Sequence, residues 1–260
     1  MATDRMPAVF AGHGNPMNAL TTNAWTEGWR QLAASMPRPR AILAVSAHWY
    51  LPGTRVTSNV RPPTIHDFGG FPRPLYEVAY PASGAPELCR RVQSLLAPTA
   101  VALDDGWGLD HGTWSVLVHL YPDASVPVIQ LSIDETAPAE EHVQLARRLR
   151  ALRDEGVLVL GSGNVVHNLH AYGWGRRVVE PYPWALRFEA RVRELVTDGQ
   201  LDALARYEAL GEDATLSAPT PDHFLPLLYV LAQRDRGEPA SFPVDGFDGG
   251  SISMLAVRVG

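Results

Sequence analysis

AILAVSAHW, residues 41–49, is a short apolar run that ends in a histidine and a tryptophan. Its length and its nearly continuous apolar character predict a strand at Ala41–Ala47 that is buried on both faces of a sheet. Comparable runs predict strands at Ala8–Phe10, Val126–Ile133 and Val157–Leu160. Because strands that are buried on both faces belong to parallel sheets covered by helices, these runs predict an α/β fold.

Amphipathic segments alternate with these strands, and their apolar residues have helical spacing. These helices are predicted at Ala24–Ser35, Pro86–Leu96, Ala139–Arg153, Trp184–Thr197, Leu201–Ala209 and His223–Gln233. We therefore expect a single domain over residues 1–260, with a mixed, mostly parallel central sheet and helices on both faces. Residues 53–86, which are rich in proline, glycine and threonine, are expected to form a structured loop or lid over the sheet edge.

The chain carries a net charge of -6, with an apolar fraction of 46% and a charged fraction of 19%. This composition is typical of a folded globular protein, and the negative charge argues against nucleic acid or an anionic membrane as a partner. The amino terminus has no pattern of a secretion signal, and no run reaches the roughly 18 apolar residues that span a bilayer. A cytoplasmic protein that binds small molecules is therefore expected.

Four histidines lie where apolar runs give way to turns, namely His13, His48, His167 and His223. Open α/β sheets present binding groups at the carboxyl ends of their strands, and imidazole is the commonest protein ligand of transition metals. The shared placement indicates a mononuclear metal site, although each histidine taken alone has an ordinary structural explanation, such as a hydrogen bond inside a turn. Asp222, beside His223, would either cap the following helix or provide a carboxylate ligand.

Other catalytic patterns are absent or weaker in this sequence. GSGN, residues 161–164, lacks the lysine and the spacing of phosphate-binding loops, and there is no H-E-x-x-H or G-x-S-x-G sequence. His111 follows another turn, in LDHGTW at residues 109–114. It is expected either to donate a hydrogen bond to a substrate oxygen or to take part in local capping with Asp110.

Six motifs carry a resemblance to a known family. They are GHGNPM (12–17), SAHW (46–49), HDFGGFP (66–72), GLDHGTW (108–114), GSGNVVHNL (161–169) and TPDHFLPLLY (220–229). Taken together, they resemble the motifs of class III extradiol ring-cleavage dioxygenases, in the branch named for DOPA 4,5-dioxygenase. The resemblance runs through nearly the whole chain, and it implies a non-haem iron(II) enzyme that opens the ring of a catechol with O2 to give a semialdehyde.

The resemblance also implies roles for individual residues. His13, His48 and His223 would hold the metal, and His167 would be either a base that accepts a catechol proton or a fourth ligand when substrate is absent. His111 would steady the substrate or the oxygen species. Neutral imidazoles leave a ferrous ion positively charged, so that it attracts a catecholate. Three histidines also suit zinc, which binds more tightly than ferrous iron, so zinc in the purified protein would not exclude an iron enzyme.

Two other functions stay open at the level of sequence. One is a zinc-dependent hydrolase on the same scaffold, and the other is a non-enzymatic relative that binds a metal or a ligand. Neither the side chain of the catechol nor the oligomeric state follows from the sequence. Arg55, Arg61 and Arg73, near the proposed lid, are candidates to bind a substrate carboxylate, although a solvated surface residue is the better explanation of each arginine.

Overall fold

A computed structural model of the protein describes residues 5–176 and 178–260. Its strands, in chain order, are β1 (Ala8–Gly12), β2 (Ala41–Leu51), β3 (Thr54–Thr57), β4 (Val101–Asp104), β5 (Val128–Asp134), β6 (Val157–Gly163), β7 (Ala240–Val244), β8 (Phe247–Asp248), β9 (Ile252–Ser253) and β10 (Ala256–Val259). The short strands β8 and β9 pair with each other, and the remaining strands form one large sheet.

The large sheet has eight strands in the order β4, β3, β5, β2, β6, β1, β10, β7. The central strands β5, β2, β6 and β1 run parallel to one another. Strand β3 is antiparallel to β5 on one side, and β10 is antiparallel to β1 on the other. The sheet is therefore mixed and mostly parallel, which confirms the predicted fold class.

The helices are α1 (Ala24–Ala34), α2 (Arg73–Tyr76), α3 (Pro86–Leu96), α4 (His111–Leu120), α5 (Ala139–Arg148), α6 (Ala151–Asp154), α7 (Pro183–Thr197), α8 (Leu201–Ala205), α9 (Glu212–Ser217) and α10 (Leu225–Leu231). Short 3-10 helices occupy Pro16–Leu20 and Tyr207–Leu210. Every helix within the described residues falls short of the length and apolarity needed to cross a bilayer.

Both faces of the sheet are covered by helices, as alternate residues of β2 demonstrate. Leu43 belongs to a core that also contains Leu227 of α10, whereas Ile42 belongs to a separate core that contains Leu117 of α4. Successive side chains of a strand point to opposite faces, so a strand between two helical layers must be apolar at every position. This requirement explains the uninterrupted apolar run that begins at Ala41.

The segment 53–86 is only partly the loop that the sequence suggests. Thr54–Thr57 is a strand of the sheet, because its β-branched residues pack well in an extended backbone and Val56 is buried against Leu131 of β5. Residues 58–72 have no regular structure and lead to the single turn of α2. A role for this remainder as a lid stays a prediction.

Candidate metal centre

Three of the predicted histidines converge where the central strands end. His13 follows β1, His48 lies near the end of β2, and His223 is in the turn before α10. Their ring centroids are 5.0 Å apart for His13 and His48, 5.3 Å for His13 and His223, and 5.2 Å for His48 and His223. One ring nitrogen of each lies within 4.8 Å of those of the other two, so a single metal ion can reach all three.

The glycine-rich turn after β6 holds the backbone of His223 against the sheet. The amide of Asn164 donates to the carbonyl oxygen of His223 over 2.9 Å, and the amide of His13 donates to the carbonyl oxygen of Gly163 over 3.0 Å. A Cβ atom at position 163 would lie 2.2 Å from the carbonyl oxygen of His223. Glycine is therefore required here, because any side chain would separate His223 from the ends of β1 and β6.

His13 is oriented by Ser162, which lies on the neighbouring strand. Nδ1 of His13 is 3.0 Å from Oγ of Ser162, and this hydroxyl donates its only proton to the carbonyl oxygen of Gly112, 2.5 Å away. Ser162 must therefore accept from His13, which places the proton of the ring on Nδ1 and leaves a lone pair on Nε2. Burial, reinforced by the other histidines, holds the pKa of His13 well below its usual range, so the ring is neutral at pH 7.

His48 and His223 are each oriented by a carboxylate. Nδ1 of His48 lies 3.3 Å from Oδ2 of Asp67, and Nδ1 of His223 donates to Oδ2 of Asp222. Burial raises the pKa of Asp222, but the hydrogen bond and the electrostatic attraction from His223, together with Thr220 and His167, outweigh burial and lower the pKa to about 2, so this carboxyl is ionised at neutral pH. Nε2 of His223 is buried and has no hydrogen-bond partner among the described residues.

With these hydrogen-bond partners, the Nε2 atoms of His13, His48 and His223 are unprotonated and lie close together. Nε2 of His13 and Nε2 of His48 are 3.2 Å apart, and two unprotonated nitrogens at this distance repel each other unless a proton or a cation lies between them. A divalent ion would remove this repulsion and would give the buried Nε2 of His223 a partner. The residues therefore fit a metal ion held by three neutral imidazoles, a set that suits iron(II) and zinc alike.

A second group of possible ligand atoms comprises His48, Asp67 and His111. Here the carboxylate faces Nδ1 of both rings, at 3.3 Å from His48 and 2.9 Å from His111. The contact with His111 is a hydrogen bond, so the ring proton of that residue occupies the position that a metal would take. The geometry favours a metal on the Nε2 side of His48. Asp222, which the sequence left as an alternative to His223, belongs to neither group.

His167 lies beside the three histidines without joining their group of ligand atoms. Its ring stacks on that of His223, with centroids 3.5 Å apart and planes at 4° to each other. Burial, followed by the proximity of His223, lowers the pKa of His167 to about 2. The ring is therefore neutral at pH 7 and retains a lone pair on one nitrogen.

His111 is the first residue of α4, and its ring centroid is 3.9 Å from that of His48. The local capping with Asp110 that the sequence offers as an alternative is present, because the side chain of Asp110 accepts from the amide of Thr113 at the start of α4. The partner of His111 is Asp67, which contacts both Nδ1 and the backbone amide of that residue.

A cavity of about 250 Å³ opens onto the histidines. Aromatic side chains line it at Phe68, Phe71, Tyr172 and Trp174. Leu169 and Ile252 add further apolar surface. Such walls exclude water and suit a flat aromatic molecule, whose ring can stack on or pack edge-on against the side chains.

The three arginines that the sequence offers for a substrate carboxylate do not line this cavity. Arg55 pairs instead with Asp104, with 3.1 Å between Nη1 and Oδ2. Arg73 pairs with Glu77 on an exposed face, and Arg61 is exposed. The explanation of these residues as solvated surface arginines therefore agrees with their positions.

Reasoning from the sequence missed Ser162 and Asp67, although each lies inside a motif that was identified. Ser162 is 149 residues from His13, and Asp67 is 44 residues from His111. No local pattern marks a hydrogen bond over such separations. The one available signal was at Ser162, which lies between two glycines at the end of an apolar run, where a chain can approach another closely.

Comparison with known proteins places these residues in a family context. Residues 7–243 match the family described as the catalytic LigB subunit of aromatic ring-opening dioxygenase. A 4,5-DOPA dioxygenase extradiol of Escherichia coli is 51% identical, with 100% of this chain and 97% of that protein covered. A protein of the same name from Beta vulgaris is 36% identical, over 94% of this chain and 92% of its own length.

A solved structure of an uncharacterised Escherichia coli K12 protein is similar throughout. It superimposes with a TM-score of 0.86 at 47% identity, and the match covers 98% of this chain and 100% of the other.

Proposed function

The chain belongs to the LigB family of aromatic ring-opening dioxygenases and is an extradiol dioxygenase, and from this we propose that it uses iron(II) to cleave the ring of a catechol with O2. Both atoms of O2 would enter the product, a ring-opened semialdehyde. His13, His48 and His223 would hold the metal. A DOPA-like catechol is the first candidate substrate, because two of the similar proteins carry that name.

The observation that carries the proposal is that all three rings have the same protonation state, with Nε2 unprotonated. Nδ1 of His13 and Nδ1 of His223 are hydrogen-bonded to oxygens of Ser162 and Asp222, and Nδ1 of His48 lies 3.3 Å from the carboxylate of Asp67, so each ring has Nε2 available as a metal ligand. Three neutral ligands leave the full positive charge of the ion uncompensated within the ligand set. When bound, iron(II) supplies that charge together with open positions at which the catechol oxygens and O2 meet.

His167 is proposed as the base that accepts a proton from a catechol hydroxyl. Its stacking on His223 keeps the ring at the edge of the centre, and its place outside the group of ligand atoms favours a base over a fourth ligand. Burial disfavours the protonated ring in the empty cavity, but a neighbouring catecholate would favour it because opposite charges attract strongly in a buried site. Proton uptake by His167 and ionisation of the substrate would therefore stabilise each other.

His111 is proposed to steady the substrate by a hydrogen bond from the opposite side of the cavity. Its Nδ1 is engaged by Asp67, so its Nε2 is the nitrogen that remains for a ligand. Phe68 packs edge-on against the His111 ring, with centroids 5.4 Å apart and planes at 79°. The aromatic wall and His111 would together hold a flat ring in one orientation, which is the contribution that proximity makes to rate.

The test is oxygen uptake by the metal-free protein after it has been loaded with iron(II) or zinc(II) under anaerobic conditions. With a panel of catechols that differ in side chain, iron-loaded protein should consume one O2 for each catechol and form a yellow product, and zinc-loaded protein should do neither. His13→Gln should abolish uptake. His142→Gln is the matched control, because His142 is a buried histidine that bonds to Tyr229 in another part of the core.

Failure of the iron-loaded protein to consume oxygen with any catechol in the panel would overturn the proposal. The panel also identifies the side chain that the cavity accepts. The expected location in the cytoplasm, and the expectation that nucleic acid and membranes are not partners, stay predictions from composition.

A further inference from the structure

A single carboxylate oxygen contacts two histidines of the site. Oδ2 of Asp67 is 2.9 Å from Nδ1 of His111 and 3.3 Å from Nδ1 of His48, while Oδ1 accepts from the backbone amide of His111 over 2.8 Å. The side chain of Asp67 is 15% exposed, so these contacts are largely shielded from water. Although burial raises the pKa of Asp67, the hydrogen bonds and the electrostatic attraction from His111, together with a backbone hydrogen bond of Asp67 itself, outweigh burial, and the net shift is downward.

The segment that carries Asp67 is held by hydrogen bonds at the two residues that precede it. Before Asp67, the carbonyl oxygen of Ile65 accepts from the indole N–H of Trp114 over 2.8 Å, and the amide of Ile65 donates to Leu109 over 2.7 Å. His66 contacts the carbonyl oxygen of Val78 at 3.1 Å. The carboxylate is therefore placed by residues 58–72 as a fixed group, and a change in its side chain leaves this anchoring intact.

We propose that Asp67 is a positioning residue that draws the Nδ1 protons of His48 and His111 to one oxygen and thereby keeps Nε2 of both rings available to the centre. The proposal rests on the proposed function in that it takes His48 as a metal ligand. It assigns residues 58–72 a task beyond covering the cavity, since this segment sets the tautomer of one ligand and of the histidine next to the substrate. A carboxylate behind a metal-bound imidazole also makes the ring a stronger donor.

No other carboxyl of the site can replace Asp67 in this role. Asp110 is fully buried nearby, but its oxygens are engaged by the hydroxyl of Ser46 at 2.7 Å and by the side-chain amide of Gln130 at 2.7 Å. Asp222 is engaged by His223. Without Asp67, each of the two rings is free to carry its proton on Nε2, where it would block a metal or a substrate.

The first test measures the histidine tautomers directly in the wild-type protein. Nitrogen-15 NMR of histidine-labelled protein, loaded with zinc(II) because zinc is diamagnetic, separates protonated from unprotonated ring nitrogens. We expect Nδ1 to carry the proton in both His48 and His111. A proton on Nε2 of either ring in the zinc-loaded protein would overturn the proposal, and this result does not depend on how any variant folds.

The second test uses Asp67→Asn, which keeps the size of the side chain and removes its charge. We expect zinc affinity to fall by about 10- to 100-fold, as it does when the partner of a metal-bound histidine is changed, with mixed tautomers at His111. The control is Asp105→Asn, an exposed carboxyl that should leave zinc affinity and the spectrum unchanged. Wild-type affinity and wild-type tautomers in Asp67→Asn would show that the carboxylate has no positioning role.

Both measurements use zinc alone, without catechol or oxygen. If the wild-type protein binds zinc with the expected tautomers but its iron-loaded form opens no catechol ring, the proposed function is wrong and the role of Asp67 is still supported. Conversely, if the wild-type enzyme is active and the Asp67→Asn variant keeps the wild-type tautomers, only the proposed role of Asp67 is wrong.

Discussion

Replacing Ser162 by alanine would remove the one side chain that orients His13. The hydroxyl of Ser162 is fully buried, accepts from Nδ1 of His13 and donates to Gly112. In Ser162→Ala the Nδ1 proton of His13 would lose its acceptor inside the protein. We expect this change to weaken metal binding much more than it weakens the metal-free fold.

The size of the effect follows from the two tautomers of the ring. A buried N–H without an acceptor costs about 1–3 kcal/mol, but the ring can avoid most of this cost by moving its proton to Nε2. Nε2 of His13 could then donate to Nε2 of His48, 3.2 Å away. That tautomer has no lone pair for a metal, so binding must reverse the switch. We expect affinity to fall by about 10- to 100-fold, or about 1.4–2.8 kcal/mol.

The assay combines zinc(II) affinity, from competition with a chromophoric chelator, with the free energy of unfolding in denaturant with and without zinc. At zinc concentrations about 100 times the wild-type Kd, the metal should stabilise the wild type by about 2.7 kcal/mol. A 100-fold weaker variant should gain only about 0.4 kcal/mol. The control is Ser115→Ala, since Ser115 is a buried serine whose Oγ has no partner among the described residues.

Two results would refute this reasoning. Wild-type zinc affinity in Ser162→Ala would mean that the hydroxyl does not set the tautomer of His13. A loss of stability of 2 kcal/mol or more without metal, at the level of an unsatisfied buried donor, would mean that the ring does not switch.

The remaining predictions concern the ligands, the proposed base and one buried ion pair. His13→Ala and His48→Ala should each lower the metal content of the purified protein, because each removes a ligand, and full metal content in both variants would contradict the assignment. His167→Ala should keep its metal and lose turnover by ~10²–10⁴-fold, as expected for general acid/base catalysis, whereas loss of metal in this variant would make His167 a ligand. Arg153 is fully buried beside Glu238, so Glu238→Ala should lower the free energy of unfolding, measured by denaturant titration, by about 3 kcal/mol. This value is near the low end for a broken buried ion pair, because backbone carbonyl oxygens still accept from Arg153. Burial raises the pKa of Glu238, but the hydrogen bond from Arg153, the backbone amide of Asp235 and the nearby arginine charges together outweigh burial and lower the pKa. The stabilisation should therefore be complete above pH about 4.3 and disappear as the pH falls through the lowered pKa, and an equal loss of stability with acid in Glu238→Ala would exclude Glu238 as its source.

The central strands were predictable because burial on both faces leaves a continuous apolar run in the sequence. Strands β4 and β7 were not predicted, since they lie at the edges of the sheet and each keeps exposed residues. The position of α4 was indicated only as an apolar run after Asp110. Its start depends on Asp110 as a cap and on contacts with distant parts of the chain.

His13, His48 and His167 could be selected from the sequence because each follows or ends a strand-like run, and parallel strands bring their carboxyl ends to one edge, whereas His223 was selected from the turn before a helix-like run. Their convergence at His13, His48 and His223 agrees with that expectation. The choice between ligand and base at His167 needed geometry, because it depends on a stacking distance from His223 that no spacing along the chain encodes.

By itself the sequence determined the class of fold, the edge of the sheet where imidazoles gather and the resemblance to ring-cleaving dioxygenases. Apolar runs, turns and motifs are each formed by residues that are close together along the chain, so they can be identified from the sequence. Only the tertiary structure decided which nitrogen each imidazole presents. That choice is made by the oxygens of Ser162 and Asp67, which reach His13 and His48 through space, and the strength of a hydrogen bond depends on distance between atoms rather than on separation along the chain.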